Sequence, residues 1–172
     1  SMVEYEKYYK TYLEGYENMT LCSTACVLGV RESRRIKCDY MLNFEDYMKR
    51  AVFDDEIGRY CYPVDIHVMN TGDEEFERFS KEYDIRYDKG ESYGIPYRSL
   101  VPVSFSNVLV AGRCIGTDRQ MQASVRVMPG CFITGQAAGA AAAIACETQD
   151  VRQVDMIKLQ NALKNLGAYL PN

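Results

Sequence analysis

The chain has no tryptophan and a single histidine, His67, in 172 residues. One imidazole excludes the multi-histidine metal centres and leaves one residue of that type for proton transfer near neutral pH. No two of its glycines are separated by a single residue, so the G-x-G-x-x-G turn that seats a dinucleotide pyrophosphate is absent. The seven cysteines contain no C-x-x-C pair, and an odd number fits neither a disulfide framework nor a zinc ribbon. Cys22 and Cys26 are four apart with no histidine nearby, so no metal site is expected. Reduced, mostly buried thiols are the reading, and they favour a cytoplasmic location.

Charge of one sign is also missing. Against 20 Lys and Arg stand 24 Asp and Glu, and the basic residues are dispersed apart from Arg31, Arg34 and Arg35. A nucleic-acid partner needs a broad basic face and is not expected. The one long apolar stretch, around residues 128–145, is interrupted by Thr134 and Gln136. It reads as too short and too small-residued for a bilayer, so no membrane partner is expected. Ser1 ahead of Met2 reads as a remnant of tag removal, and the lack of a recognisable signal peptide therefore carries little weight.

What is present concentrates in residues 107–145, NVLVAGRCIGTDRQMQASVRVMPGCFITGQAAGAAAAIA. An apolar run of strand type leads into Gly112, then a polar loop, then a long helix of Gly, Ala and other small residues. Such a helix cannot fill a core with bulk and must lie close to something flat. A glycine turn meeting a helix N-terminus also suits an anionic or electron-rich ligand. Helix-on-sheet packing explains the same pattern without a ligand.

Elsewhere Tyr5, Tyr8, Tyr9, Tyr12, Leu13 and Tyr16 recur at helical spacing and predict an amphipathic helix ending near Gly15, its tyrosines in a core. Two strands are expected around Gly29, the second being SRRIKCDYML. Asn43 offers an N-cap for a helix presenting Phe44, Tyr47 and Met48. FDDEIGR suggests a short helical turn, and YPVDIHV (62–68) a half-buried strand. Residues 70–92 read as a short helix and surface loop, and YGIPYRSLVPVSF as an extended crossing segment. Asp155 caps a last helix carrying Met156, Leu159, Leu163 and Leu166, stopped by Gly167.

LGVRESRRI (28–36), YPVDIH (62–67), GIPYRSLVP (94–102), VAGRCIG (110–116) and ASVRVMPGCFITGQAAGAAAAIA (123–145) resemble, in this order, the C-terminal half of FAD-dependent oxidoreductases of the glutathione-reductase-like superfamily. The resemblance implies an α+β chain with a mainly antiparallel substrate-side sheet and flanking helices over residues 3–93. Residues 94–172 would form the C-terminal strand–loop–helix of an FAD-binding domain. The missing glycine fingerprint makes the chain a C-terminal fragment whose partner is the N-terminal Rossmann half of the same protein. The whole would move hydride between a small organic substrate and flavin N5. The isolated fragment would be inactive, hold FAD weakly or not at all, and self-associate through its exposed former interface. The alternative is a non-enzymatic interaction domain on the same scaffold.

The resemblance places Gly112, Arg113, Ser124, Arg126, Gly130, Cys131 and Phe132 at the cofactor, with the amides of the last three as helix N-terminal donors for a reduced flavin. Members of the resembling family often place a His near position 119, where this chain has Arg119, so no catalytic role is carried over to that loop. His67 is the candidate base, with Asp65 two residues away on its strand face to orient it. Arg31 and Arg35 are candidates for holding an oxygen-rich substrate, or for pairing with Glu32 or Asp39.

Overall fold

The computed structural model describes residues 2–66 and 85–171. They form helices with one two-stranded antiparallel sheet, an α+β fold. Residues 1–30 form one compact unit and residues 31–172 a second. In the first, α1 (Met2–Tyr12) fulfils the tyrosine periodicity but buries none of its residues. The rings meet one another instead, Tyr5 with Tyr9, Tyr8 with Tyr12, and Tyr9 with Tyr16. The expected tyrosine core is therefore a ring-on-ring surface ladder.

The second unit opens with residues 31–42, which lack the strand expected of SRRIKCDYML. Two isolated bridges remain, Cys38 with Pro102 and Leu42 with Thr117. Proline has no N–H to continue a ladder, which explains why the first bridge stays single. Asn43 then caps α2 (Phe44–Met48) as expected, in a capping box completed by Asp46. Residues 56–60 correct the helical expectation for FDDEIGR: Glu56–Tyr60 is β1, paired with β2 (Tyr93–Pro96) through Arg59–Gly94 and Tyr60–Tyr93. Tertiary pairing overrides local propensity here, because Ile57, Tyr60, Tyr93 and Ile95 all enter the core. Glu56 goes in with them, held by Arg59 at 2.7 Å. The described part of YPVDIHV, up to Ile66, is not a strand. Side chains hold it where a ladder would: Ser124 Oγ donates to the Tyr62 carbonyl at 2.6 Å and Arg126 Nη2 to the Asp65 carbonyl at 2.6 Å. Of residues 70–92, the stretch to 84 lies outside the described residues.

After β2 a 3-10 turn (Tyr97–Leu100) leads to residues 107–111, which have no regular structure and end on the extended Ala111, and to a second turn, Gly112–Cys114. The polar loop of the sequence reading contains a helix, α3 (Arg119–Val125), whose Met121, Ala123 and Val125 are buried. Asp118 Oδ1 accepts the Met121 amide at 2.7 Å while Oδ2 accepts the Phe44 amide at 2.8 Å, so one carboxylate ties the starts of α2 and α3. Asp118→Ala should lower stability by about 1–2 kcal/mol, read as the urea midpoint by circular dichroism, with Asp118→Asn recovering part. An unchanged midpoint for the alanine variant would remove this tie from the account.

α4 (Met128–Ala145) follows after two residues, with Pro129 in its first turn. By length and composition it meets the requirement for a membrane span, against the expectation that it is too short. It packs on β1, α3, α5 and the turns Tyr97–Leu100, Gly112–Cys114 and Val151–Gln153. α5 (Met156–Asn165) is capped by Asp155, buries Leu159 and Leu163, and ends before Gly167 at φ +87°. The core gathers Leu42, Tyr47, Ile57, Tyr93, Ile95, Leu100, Ile115, Met121, Leu159 and Leu163. Cysteine burial is less than expected: Cys38 is buried, Cys114 and Cys131 are intermediate, and Cys22, Cys26, Cys61 and Cys146 are exposed.

Candidate functional site

Chain geometry assembles one place where most of the candidate residues meet, the elbow between α3 and α4. α3 ends at Val125 with Arg126 as its C-cap, and α4 begins at Met128, which requires a very close crossing. Gly130 permits it: a Cβ there would lie 2.3 Å from the Val125 carbonyl oxygen. Beside the elbow, Gly112 takes φ +74°, a conformation that favours glycine. Its amide donates to Thr134 Oγ1 at 2.9 Å, and Thr134 in turn donates to the Gly130 carbonyl one helical turn back at 3.0 Å. Gln122 Nε2 donates to the Arg113 carbonyl at 3.0 Å. The glycine turn is thus fastened to both helices.

Arg126 is the charged centre of this elbow and is only 6% exposed. Its Nη1 bonds the Glu32 carboxylate and its Nη2 the Asp65 carbonyl, while the Asp65 carboxylate takes Arg31 at 2.6 Å. Arg31, Glu32, Asp65 and Arg126 therefore form one network that draws residues 31–32 and 65 onto the elbow. Arg126 Nε is buried with no partner among the described residues, and so is the Tyr60 hydroxyl. Burial pushes Tyr60 up to about 12, with the neighbouring Gly130 amide opposing. Ser124 is fully buried, and because its one proton goes to the Tyr62 carbonyl, the Tyr93 hydroxyl at 2.8 Å must be the donor between them. Burial holds the Tyr93 phenol well above its ordinary range.

The sequence-derived assignments divide accordingly. Ser124, Arg126 and Gly130 belong to the site but are buried in its scaffold, and Cys131 donates its amide to the Val127 carbonyl and its thiol to the Arg126 carbonyl. Arg113 and Phe132, the latter 69% exposed, face outward, with Gly112 between these extremes. Arg31 is paired to Asp65, Arg35 is exposed, and Arg119 is exposed on α3. His67 lies outside the described residues. Sequence reading missed Thr134, Gln122 and Tyr60. Thr134 had a signal, as a hydroxyl one turn from Gly130 in an otherwise small apolar helix; Gln122 and Tyr60 had none.

The small-residue helix corrects one expectation. Gly135 and Gly139 do not press against a sheet: a Cβ added at either meets nothing within 4 Å. Together with Met128, Phe132 and Ala142 they form an open stripe along α4. Residues 107–111, expected as a strand, run antiparallel to α4 beside this stripe, with Leu109 near Ala138 and Ala142 and Gly112 at Thr134. A shallow cavity of about 370 Å³ is lined by residues of both segment and helix. The segment joins no sheet. Among the described residues its one backbone bond as donor runs from Val110 to the Leu100 carbonyl at 2.9 Å.

An apolar run, a positive-φ glycine and an antiparallel helix of small residues thus lie side by side here. A family model, FAD dependent oxidoreductase, matches residues 1–163, and the chain belongs to that family. No curated protein and no solved structure matches it. The family uses FAD. Arg113, Phe132 and the open stripe are accessible, and Arg126 Nε is a buried donor without an acceptor among the described residues. Ser124 and Cys131 have their polar groups engaged within the chain.

Proposed function

We propose that this chain is the C-terminal part of an FAD-dependent oxidoreductase that moves hydride between a small organic substrate and flavin N5. The N-terminal Rossmann half of the same protein completes it. Residues to about Tyr93 serve the substrate side and residues from Gly94 the cofactor side. The observation that carries this reading is the unpaired run 107–111 beside the open stripe of α4. Such a run with a helix packed back along it would become half of a parallel βαβ unit once a neighbouring strand paired with it, and parallel strands are normally paired and covered on both faces. FAD, when bound, supplies the two-electron acceptor. This chain's residues shape its edge through the Gly112–Arg113 turn and Phe132, and hold the substrate-side segment at Asp65 through Arg126.

The test is retention of FAD. The purified chain should be colourless after incubation with FAD and desalting. Adding a separately produced N-terminal half that carries the glycine fingerprint should raise the retained flavin to near one per complex. Stoichiometric FAD on the chain alone would overturn the fragment reading. The second reading, a non-enzymatic interaction domain, is favoured by the internal use of Ser124, Arg126 and Cys131. It would be preferred if the two halves associate without holding flavin.

A further inference from the structure

The network at Arg126 leaves a local surplus of positive charge in an acidic chain. Among the described residues, Arg31 pairs with Asp65, Arg50 with Glu91, Arg59 with Glu56, Arg98 with Asp55, Arg126 with Glu32 and Arg152 with Asp39. Arg34 and Arg35 are exposed and have neither an ion pair nor a hydrogen bond among the described residues. The acids closest to them in sequence are already committed, Glu32 to Arg126 and Asp39 to Arg152. They are also held in place. Glu32 is anchored on the buried Arg126, and the Ile36 amide donates to the Cys114 carbonyl at 2.8 Å, so Ser33, Arg34 and Arg35 bridge two fixed points. One anchor is the α3–α4 elbow and the other the Gly112–Cys114 turn, the two flanks of the candidate site. Anchoring limits the ordering that a ligand must impose, and two guanidinium groups without acids present donors suited to oxyanions.

We propose that Arg34 and Arg35 form an oxyanion-recognition patch at the rim of this site, which takes the carboxylate or phosphate group of the small molecule handled there. The proposal rests on the oxidoreductase reading only for what that molecule does, because anion binding needs no flavin. Failure of flavin retention with the N-terminal half would therefore leave it standing, and the reverse also holds.

The intact chain is titrated calorimetrically at low ionic strength with inorganic pyrophosphate and, separately, with succinate. At least one anion should bind, and Arg34→Ala/Arg35→Ala should weaken it by about tenfold or more, as expected for loss of charge-assisted bonds. Arg119→Ala, which removes an exposed arginine on α3, should leave affinity unchanged, and added salt should weaken binding in the wild type. Preference for pyrophosphate points to a phosphate source and preference for succinate to a carboxylate substrate. The proposal is overturned if the wild type binds neither anion, if the double variant binds as tightly as the wild type, or if Arg119→Ala weakens binding as much.

Discussion

Gly130→Ala should destabilise the chain by about 1–3 kcal/mol or more, the cost of forcing a methyl group into packed structure. The atoms a Cβ would strike are backbone, the Val125 carbonyl oxygen at 2.3 Å and carbon at 3.0 Å, so no side-chain rotation relieves the clash. Relief requires α4 to move away from α3, and that displaces Arg126, Thr134 and the Gly112 amide together. Gly139→Ala gives the opposite sign. The site is in mid-helix with open space around it, and alanine should add up to about 1 kcal/mol. Urea midpoints by circular dichroism measure both. Equal midpoints for Gly130→Ala and wild type would show that the elbow is not close-packed.

Glu32→Ala and Arg126→Met should differ in a direction that simple counting of one lost ion pair does not anticipate. Glu32 is 44% exposed at its side chain, and removing it strands the guanidinium of Arg126, which is 6% exposed, without its carboxylate. An uncompensated buried charge costs about 3–5 kcal/mol in deeply buried pairs, and the partial exposure of this pair puts the expectation nearer 2 kcal/mol. Arg126→Met removes the buried charge itself and returns Glu32 to water. Its loss is the bond to the Asp65 carbonyl and the packing of the head group, about 1 kcal/mol. Chemical unfolding of both variants decides the order, and a less stable Arg126→Met would mean that the network acts through its hydrogen bonds rather than its charge. Glu32→Gln separates the two further, since it keeps a hydrogen-bond acceptor for Arg126 and removes the charge.

Local rules were readable wherever a residue acts on its own neighbours. Asn43, Asp155, Gly167 and Pro129 mark helix ends in the sequence, and α2, α4 and α5 begin or stop at them. The reading failed where distant residues set the conformation. FDDEIGR has a weak helical pattern, but Glu56–Tyr60 becomes a strand because Tyr93–Pro96, more than thirty residues on, offers an edge. SRRIKCDYML has the composition of a strand yet finds only isolated bridges, one of them to a proline. The periodicity of Tyr5, Tyr9, Tyr12 and Tyr16 specifies a helix face but not whether that face is covered.

The site divides the same way. The glycine turn and bare helix of residues 107–145 are backbone features that residue types encode directly, and they pointed to an anionic or electron-rich ligand; the cofactor class came from the resemblance carried by the ordered motifs. Only the tertiary structure decided which side chains are scaffold and which are available. Arg126 and Ser124 are engaged by Glu32, Asp65, Tyr62 and Tyr93, partners 31 to 94 residues away, and no spacing rule connects residues that far apart. The same long-range packing left the glycine stripe of α4 and the run 107–111 open, while Arg34 and Arg35 kept no acidic partner among the described residues. Burial and pairing are properties of the assembled chain, so these surfaces could be located only once the helices had been packed.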